Sequence, residues 1–429
     1  MKSCPSCGRL YPLEAGFCPV DGQQLVNVSQ APVANSSEDK RIGATVCGRY
    51  QVRRVVADGG MGRVYEALDL ETRHNVALKI LHPEVANDTV AVERFRREFD
   101  VSKHLSHEHV VEVHDFQPTE DGSYALVMEF LYGEELRNAL KRETVLPPAR
   151  IVRMLAQLAV GLDAAHDKKL VHRDLKPDNV FLCQTRDGDI VKILDFGSVK
   201  DKAETAKKLT VIGTTIGSPF YMAPEQAQGL ETLDHRADVW ALAAITYECM
   251  TGQVPFGGIN GPSILLEILT KSPVPPSQRA ADQKYAVPPM MDRVMAQAFQ
   301  KNPGMRTSSV GELADRVGEA YGLVGTHHDW IVLTQSEVEA QIAERLPAAI
   351  EAWKGSQPAE TALDDFFGDG GSILDQVSSV AATQRVPAPV ATETRALGVP
   401  SRSSRWMIPT AVAGVLLLLV VAVAMLFVL

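Results

Sequence analysis

The chain has 429 residues, 45% of them apolar and 22% charged, with a formal net charge of −10. That length allows about three units of ordinary globular composition at roughly 150 residues each, and the acidic balance argues against nucleic acid as a partner. Six cysteines in so long a chain do not make a disulfide framework, and the first apolar run is interrupted by Cys4, Pro5, Cys7 and Arg9, so no signal peptide is read.

Residues 1–26 contain a short internal repeat: Cys4-Pro5-Ser6-Cys7-Gly8 is echoed by Cys18-Pro19-Val20-Asp21-Gly22. Each half reads as a metal knuckle, a tight turn whose glycine permits positive φ and which presents two ligands three positions apart. Two such knuckles can close a tetrahedral zinc site of the zinc-ribbon kind, with Cys4, Cys7, Cys18 and Asp21 as ligands. Zinc on the three cysteines plus another ligand stays open, and so does no metal at all, because an aspartate also fits a failed site. Crowded cysteines of this kind point to a reducing compartment. A segment this short cannot bury enough core to fold unaided, so the metal would carry its folding. Its expected role is docking or sensing. Residues 27–47 are polar and Ser/Ala/Asn-rich, and read as a linker.

Residues 48–321 alternate strand and helix signals. The strand-like Tyr50-Gln51-Val52-Arg53-Arg54-Val55-Val56 runs into Ala57-Asp58-Gly59-Gly60-Met61-Gly62-Arg63-Val64, where glycines let a hairpin close over phosphates. Val76-Ala77-Leu78-Lys79 follows, then Glu93-Arg94-Phe95-Arg96-Arg97-Glu98-Phe99, and then the apolar run Ala125 to Gly133. Ile151, Leu155, Leu158, Leu162 and Ala165 share one helical stripe, which is core. Next stands His172-Arg173-Asp174-Leu175-Lys176-Pro177-Asp178-Asn179, with Asp195-Phe196-Gly197 sixteen positions after Asn179. Two acids and an amide at fixed offsets, and a lysine two residues after the first acid, form the set that phosphoryl transfer from ATP needs. Asp174 would accept the proton of the substrate hydroxyl, Lys176 would balance charge on the moving phosphoryl group, and Asn179 and Asp195 would hold magnesium against the ATP phosphates. A Thr- and Gly-rich segment then ends in Gly217-Ser218-Pro219-Phe220-Tyr221-Met222-Ala223-Pro224-Glu225.

These motifs resemble the loops of protein kinases, over about residues 48–321. The resemblance is nearest to the bacterial branch of the eukaryotic-like serine/threonine kinases, through Gly59-Gly60-Met61-Gly62 and Tyr221-Met222-Ala223-Pro224-Glu225-Gln226. It implies an α+β bilobal kinase fold, a small β-rich N-lobe on a larger helical C-lobe, with ATP and Mg2+ as cofactors. It implies nucleotide contacts at Ala57, Gly59, Gly62 and Val64, with Ala57 standing where the family has its first glycine. Lys79 would bind the α- and β-phosphates and pair with an acid on the next helix; Glu93 and Glu98 are the candidates, and Glu98 fits better. The backbone of Glu129 and Leu131 would recognise adenine, with Met128 behind. Lys176 is the form that goes with serine/threonine substrates. Thr210, Thr214 and Thr215 are the expected phosphorylation sites, with Arg173 the receiver of the phosphate, joined by Lys200, and Ser218 replaces the family's usual threonine. Asp238 and His172 would brace the catalytic loop, His166 would be structural, and Arg306 would pair with Glu225.

Residues 322–405 turn acidic and Pro/Ala/Ser/Thr-rich and read as a largely disordered linker. It holds one short amphipathic helix, within Glu337–Trp353, that breaks near Pro347. About 50 residues then form a tether of roughly 40 Å reach. Met407 to Leu429 is 23 residues without a charge. As a helix it would reach ~34 Å, enough for a ~30 Å hydrocarbon core. Arg402 and Arg405 precede it, which places the kinase on the cytoplasmic side of a cell-membrane span.

The sequence therefore predicts a membrane-anchored serine/threonine protein kinase with an N-terminal zinc-ribbon-like module. It would act on protein substrates and self-associate for trans-autophosphorylation. A pseudokinase scaffold is the rival reading. A small-molecule phosphotransferase is disfavoured by the Thr-rich segment before Ala223-Pro224-Glu225.

Overall fold

The computed structural model describes residues 39–196, 219–230 and 232–356, together with three two-residue strands nearer the N-terminus. Those are Lys2–Ser3 (β1), Leu10–Tyr11 (β2) and Val26–Asn27 (β3), a small antiparallel sheet of order β2-β1-β3.

A six-stranded sheet follows, made of Thr45–Val46 (β4), Tyr50–Asp58 (β5), Gly62–Asp69 (β6), Asn75–Leu81 (β7), Val113–Pro118 (β8) and Tyr124–Glu129 (β9), in the order β4-β5-β6-β7-β9-β8. Alternation carries its inner face: Tyr50 and Val52 of β5, and Tyr65 and Ala67 of β6, are buried at two-residue spacing. The short helix Pro83–Ala86 (α1) and the longer Thr89–His104 (α2) lie between β7 and β8. Asp88 caps α2 by accepting from the Val90 N–H at 2.9 Å. Phe95, Glu98, Val101 and Ser102 form its buried stripe at helical spacing, so Glu98 goes inward with the apolar residues.

A smaller sheet, Gly133–Glu135 (β10), Val180–Thr185 (β11) and Gly188–Ile193 (β12), runs antiparallel in chain order. The remaining elements are helical: Leu136–Glu143 (α3), Pro148–Asp167 (α4), Pro224–Ala227 (α5), Arg236–Thr251 (α6), Gly261–Thr270 (α7), Pro276–Arg279 (α8), Met290–Ala298 (α9), Val310–Ala320 (α10), His327–Trp330 (α11) and Gln335–Ser356 (α12). Helix α6 is buried all round, with every residue from Ala237 to Thr251 inside the helical core, the charged Asp238 and Glu248 among them. The α+β bilobal architecture expected from the resemblance is present.

Two segments differ from the sequence reading. Residues read as the end of a linker are packed onto the first sheet: Asp39 accepts from Arg63 at 2.6 Å and Tyr65 at 2.8 Å, and Val46 is buried. At the other end the fold runs past residue 321. Trp330, Val338 and Ile342 are buried in the helical core, and α11 and α12 pack on α4. Helix α12 also passes through Pro347 without ending. Pro347 and Ala343, whose carbonyl loses its helical donor, are both exposed, so water can take the missing bond.

The expected zinc ligands Cys4, Cys7, Cys18 and Asp21 lie outside the described residues, as do Lys200, Thr210, Thr214, Thr215, Ser218 and the apolar run 407–429. Among the described residues no helix is long and apolar enough to cross a membrane, and no group of three or more His, Cys, Asp or Glu side chains is placed to hold a metal ion.

Candidate active site

Two constellations meet where the first sheet adjoins the β10-β11-β12 sheet. The first is centred on Lys79. Strand β7 is interior, flanked by β6 and β9, and its register sets Lys79 opposite Val64 on one side and Leu126 on the other. The Lys79 ammonium donates to Glu98 at 3.1 and 3.2 Å and to Asp195 at 2.9 Å. Burial alone would push the Lys79 pKa down, but the Asp195 and Glu98 charges outweigh it and hold it up. Between the acids, burial pushes the Glu98 carboxyl up, while the nearby ammonium holds Asp195 low. Glu93, the other sequence candidate, lines a cleft of about 590 Å³ on α2 with Arg96, Arg97 and Tyr124.

The second constellation is the loop from His172 to Asn179. Lys176 Nζ donates to the Asp174 carboxylate at 2.8 Å, and Asn179 Nδ2 donates to the Asp174 carbonyl at 2.7 Å. The Leu194 N–H donates to the Asn179 carbonyl at 2.9 Å, which ties this loop to the residue before Asp195. Arg173 and Asp195 both take left-handed backbone angles, φ 66° and 55°, a costly conformation for residues with a Cβ.

What holds the loop is buried. Asp238, at the start of α6 and 0% exposed, accepts from the His172 N–H at 2.8 Å, the Arg173 N–H at 2.9 Å and His166 Nε2 at 2.8 Å. Burial pushes its carboxyl up, yet the His166 hydrogen bond and charge hold it below the ordinary value. His166 loses basicity to burial, but Asp163 and Asp238 more than restore it and raise its pKa to about 9. His172 donates from Nε2 to the Leu194 carbonyl at 2.9 Å and accepts the Asp174 N–H on Nδ1 at 3.3 Å, so both ring nitrogens are committed to positioning. Arg306 forks onto Glu225 at 2.8 and 2.9 Å. All these expected braces are in place.

The glycine-rich hairpin divides by role. A Cβ on Gly62 would stand 2.3 Å from the Ile80 carbonyl oxygen, so this glycine is required by the neighbouring strand. One on Gly60 would meet nothing within 4 Å. Ala57 pairs with Val64, and the Gly59 N–H donates to the Gly62 carbonyl at 3.0 Å. Glu129 ends β9, its N–H donating to the Glu112 carbonyl at 2.9 Å, and Leu131 lies in the short link to β10.

Two contacts were not foreseen. Gln226 Nε2 donates to the Arg173 carbonyl at 2.7 Å and so joins α5 to the loop. Arg137 joins α3 to Asp178, Tyr221 and Glu248. Tyr221, Gln226, Arg173 and Asp178 stand in motifs that carry the resemblance, but nothing in the sequence pairs them, and Arg137 and Glu248 carry no motif or spacing signal.

Residues 50–317 match the family described as Protein kinase domain. The chain is 38% identical over 274 residues to the serine/threonine-protein kinase pkn3 of Myxococcus xanthus, covering 63% of this chain and 50% of that one. It is 32% identical over 359 residues to the serine/threonine-protein kinase PknD of Mycobacterium tuberculosis, covering 84% and 51%. The chain thus spans about half the length of the curated relatives it matches. Among solved structures it is similar to the PknI kinase domain of Mycobacterium tuberculosis, with a TM-score of 0.51 and 28% identity over 65% of this chain and 98% of that one. With the fold, both ion-pair constellations and these likenesses in agreement, the chain belongs to the protein kinase family, in its bacterial serine/threonine branch.

Proposed function

We propose that the chain transfers the γ-phosphate of ATP to serine and threonine hydroxyls of proteins. The observation that carries this reading is Lys79 held between Glu98 and Asp195 while Asp174, Lys176 and Asn179 share one loop. Lys79 would bind phosphate oxygens. Asp174 would orient the acceptor hydroxyl and take its proton, and Lys176, raised in pKa by Asp174 against the pull of burial, would stay charged beside the reacting oxygens. The donor set fits magnesium: Asp195 supplies carboxylate oxygen, and Asn179, with Nδ2 spent on Asp174, offers Oδ1. Bound there, the ion would neutralise phosphate charge. Ala57, Gly59, Gly62 and Val64 would cover the nucleotide, and backbone groups of Glu129 and Leu131 would take adenine. A pseudokinase would not need this full set of charged residues.

The test is incubation of purified protein with Mg-ATP and a protein acceptor, followed by mass spectrometry. Phosphoserine or phosphothreonine is expected in the acceptor, and sites among Thr210, Thr214 and Thr215 in the chain itself. No transfer to any acceptor would leave the scaffold reading standing.

Three finer readings rest on sequence. The uncharged run 407–429 supports a membrane span that keeps the kinase domain cytoplasmic and near membrane-bound neighbours for trans-autophosphorylation. Protein that stays in the supernatant with 407–429 intact would remove it. The paired knuckles support zinc on Cys4, Cys7, Cys18 and Asp21 in residues 1–26, which metal analysis of freshly purified protein tests. Thr210, Thr214 and Thr215 support a phosphorylation switch with Arg173 as the receiver. Equal rates from phosphorylated and unphosphorylated protein would remove that switch.

A further inference from the structure

Arg137 sits at a crossing of four elements. Its Nη1 donates to Glu248 of α6 at 2.9 Å, and its Nη2 to the Tyr221 hydroxyl at 2.7 Å. Nε and Nη2 reach Asp178 at 3.3 and 3.2 Å. The Tyr221 hydroxyl donates in turn to Glu248. Tyr221 comes from the turn Pro219–Tyr221 that leads into α5, and Asp178 from the loop that carries Asp174. Two carboxylates and a phenol oxygen around a planar fork form the arrangement that recognises a guanidinium. Here the chain's own arginine fills it.

The cluster is not sealed. The Arg137 and Glu248 side chains are 18% and 12% exposed, but Asp178 is 44% exposed. Asp174, four residues earlier in the same loop, is 46% exposed. A polypeptide that offers its hydroxyl to Asp174 must lay neighbouring residues across the edge where Asp178 surfaces. What it meets there is a carboxylate already bound from behind by a cation.

Resting on the protein-kinase reading, we propose that Arg137 is the resident occupant of a guanidinium site beside the catalytic loop. It sets acceptor specificity by denying that site to an arginine flanking the target hydroxyl. The favoured acceptor is a segment whose flanking residues on that side are uncharged or small. Removal of the Arg137 charge leaves Glu248 buried without its cation and Asp178 open, and a peptide arginine then restores the lost partner.

The experiment uses the full chain and paired peptides that carry arginine or alanine at each of the three positions on either side of one threonine. The readout is the arginine-to-alanine ratio of kcat/KM, since discrimination is a ratio of these constants. The parent is expected to show ratios below about threefold at every position, and Arg137→Met, which keeps the chain length and removes the charge, to raise one ratio at least tenfold. Methylguanidinium at millimolar concentration should raise the melting temperature of Arg137→Met and not that of the parent. A parent ratio already above about tenfold, or ratios unchanged in Arg137→Met, overturns the proposal. Where Arg137→Met does not fold, Arg137→Lys keeps a charge but lacks the fork, and its ratio must exceed the parent's or the proposal fails. Absence of transfer from the parent to every peptide is a failure of the kinase reading instead.

Discussion

Trp330 lies against the bare face of Gly318: a Cβ at position 318 would stand 2.1 Å from the indole ring. The indole is 1% exposed and donates from Nε1 to the Val324 carbonyl at 3.1 Å. Residues 322–342 are thereby built into the helical core.

Gly318→Ala should destabilise the protein by about 1–3 kcal/mol through overpacking, and Trp330→Ala by about 3–5 kcal/mol through the cavity it leaves. Denaturant midpoints measure both. An unchanged midpoint for Trp330→Ala would mean that the core ends at residue 321 after all.

Asp174→Asn should lower turnover by about 10²–10⁴-fold, the usual worth of a positioned general base. Nucleotide affinity, measured by fluorescence or calorimetry, should stay close to the parent's, because Asp174 touches neither Lys79 nor Glu98 in this arrangement. Comparable turnover in mutant and parent would remove Asp174 from the chemistry.

Glu98→Ala and Glu93→Ala should separate cleanly. Loss of Glu98 leaves Lys79 with Asp195 alone, and kcat/KM for ATP should fall at least about tenfold, which is roughly 1.4 kcal/mol of transition-state stabilisation. Glu93, on the cleft of α2, should leave it within about twofold. Equal effects would place the acid partner wrongly.

The His166–Asp238 pair sets a pH dependence. The folded pKa of His166, about 9, lies above the ordinary value of 6.5. The pair's contribution is therefore full below about pH 6.5 and is lost as pH rises through about 9, amounting to at most about 3 kcal/mol. Groups facing His166 are Asp163 at 3.9 Å, Asp238, and the His235 ring at 5.5 Å. Denaturation of the parent from pH 6 to 9.5 should show this loss, and His166→Gln should flatten it. Identical slopes would show that His166 does not titrate there.

Much of this was legible because phosphoryl transfer fixes residues at short offsets: Asp174, Lys176 and Asn179 lie within six positions, and Asp195 sixteen further on. The kinase resemblance favours Glu98 over Glu93, because the family's acid lies within such an Arg/Phe run before His107, and the inward stripe of α2 agrees. The long-range partners were illegible. Arg137 meets Asp178, Tyr221 and Glu248 across separations of 41, 84 and 111 residues, and nothing periodic connects them. The sequence reads residues 322–405 as linker because most of that stretch is acidic and Pro/Ala/Ser/Thr-rich, and Gly322 and Gly325 at its start carry no helix signal. Both in fact take positive φ, at 83° and 101°, in the turn that folds α11 back onto α4. Pro347 was read as a breaker, but at an exposed position its lost hydrogen bond can go to water.

The left-handed angles at Arg173 and Asp195 put thermal robustness and turnover in opposition. Each holds a side-chain-bearing residue in a conformation that costs of order 1–3 kcal/mol, and glycine would adopt the same angles without that cost. Glycine at position 173 would relieve that backbone cost, and the same substitution removes the side chain proposed as the phosphate receiver. If the proposed phosphorylation switch operates, selection of this chain for heat resistance alone works against it unless activity is scored in every round.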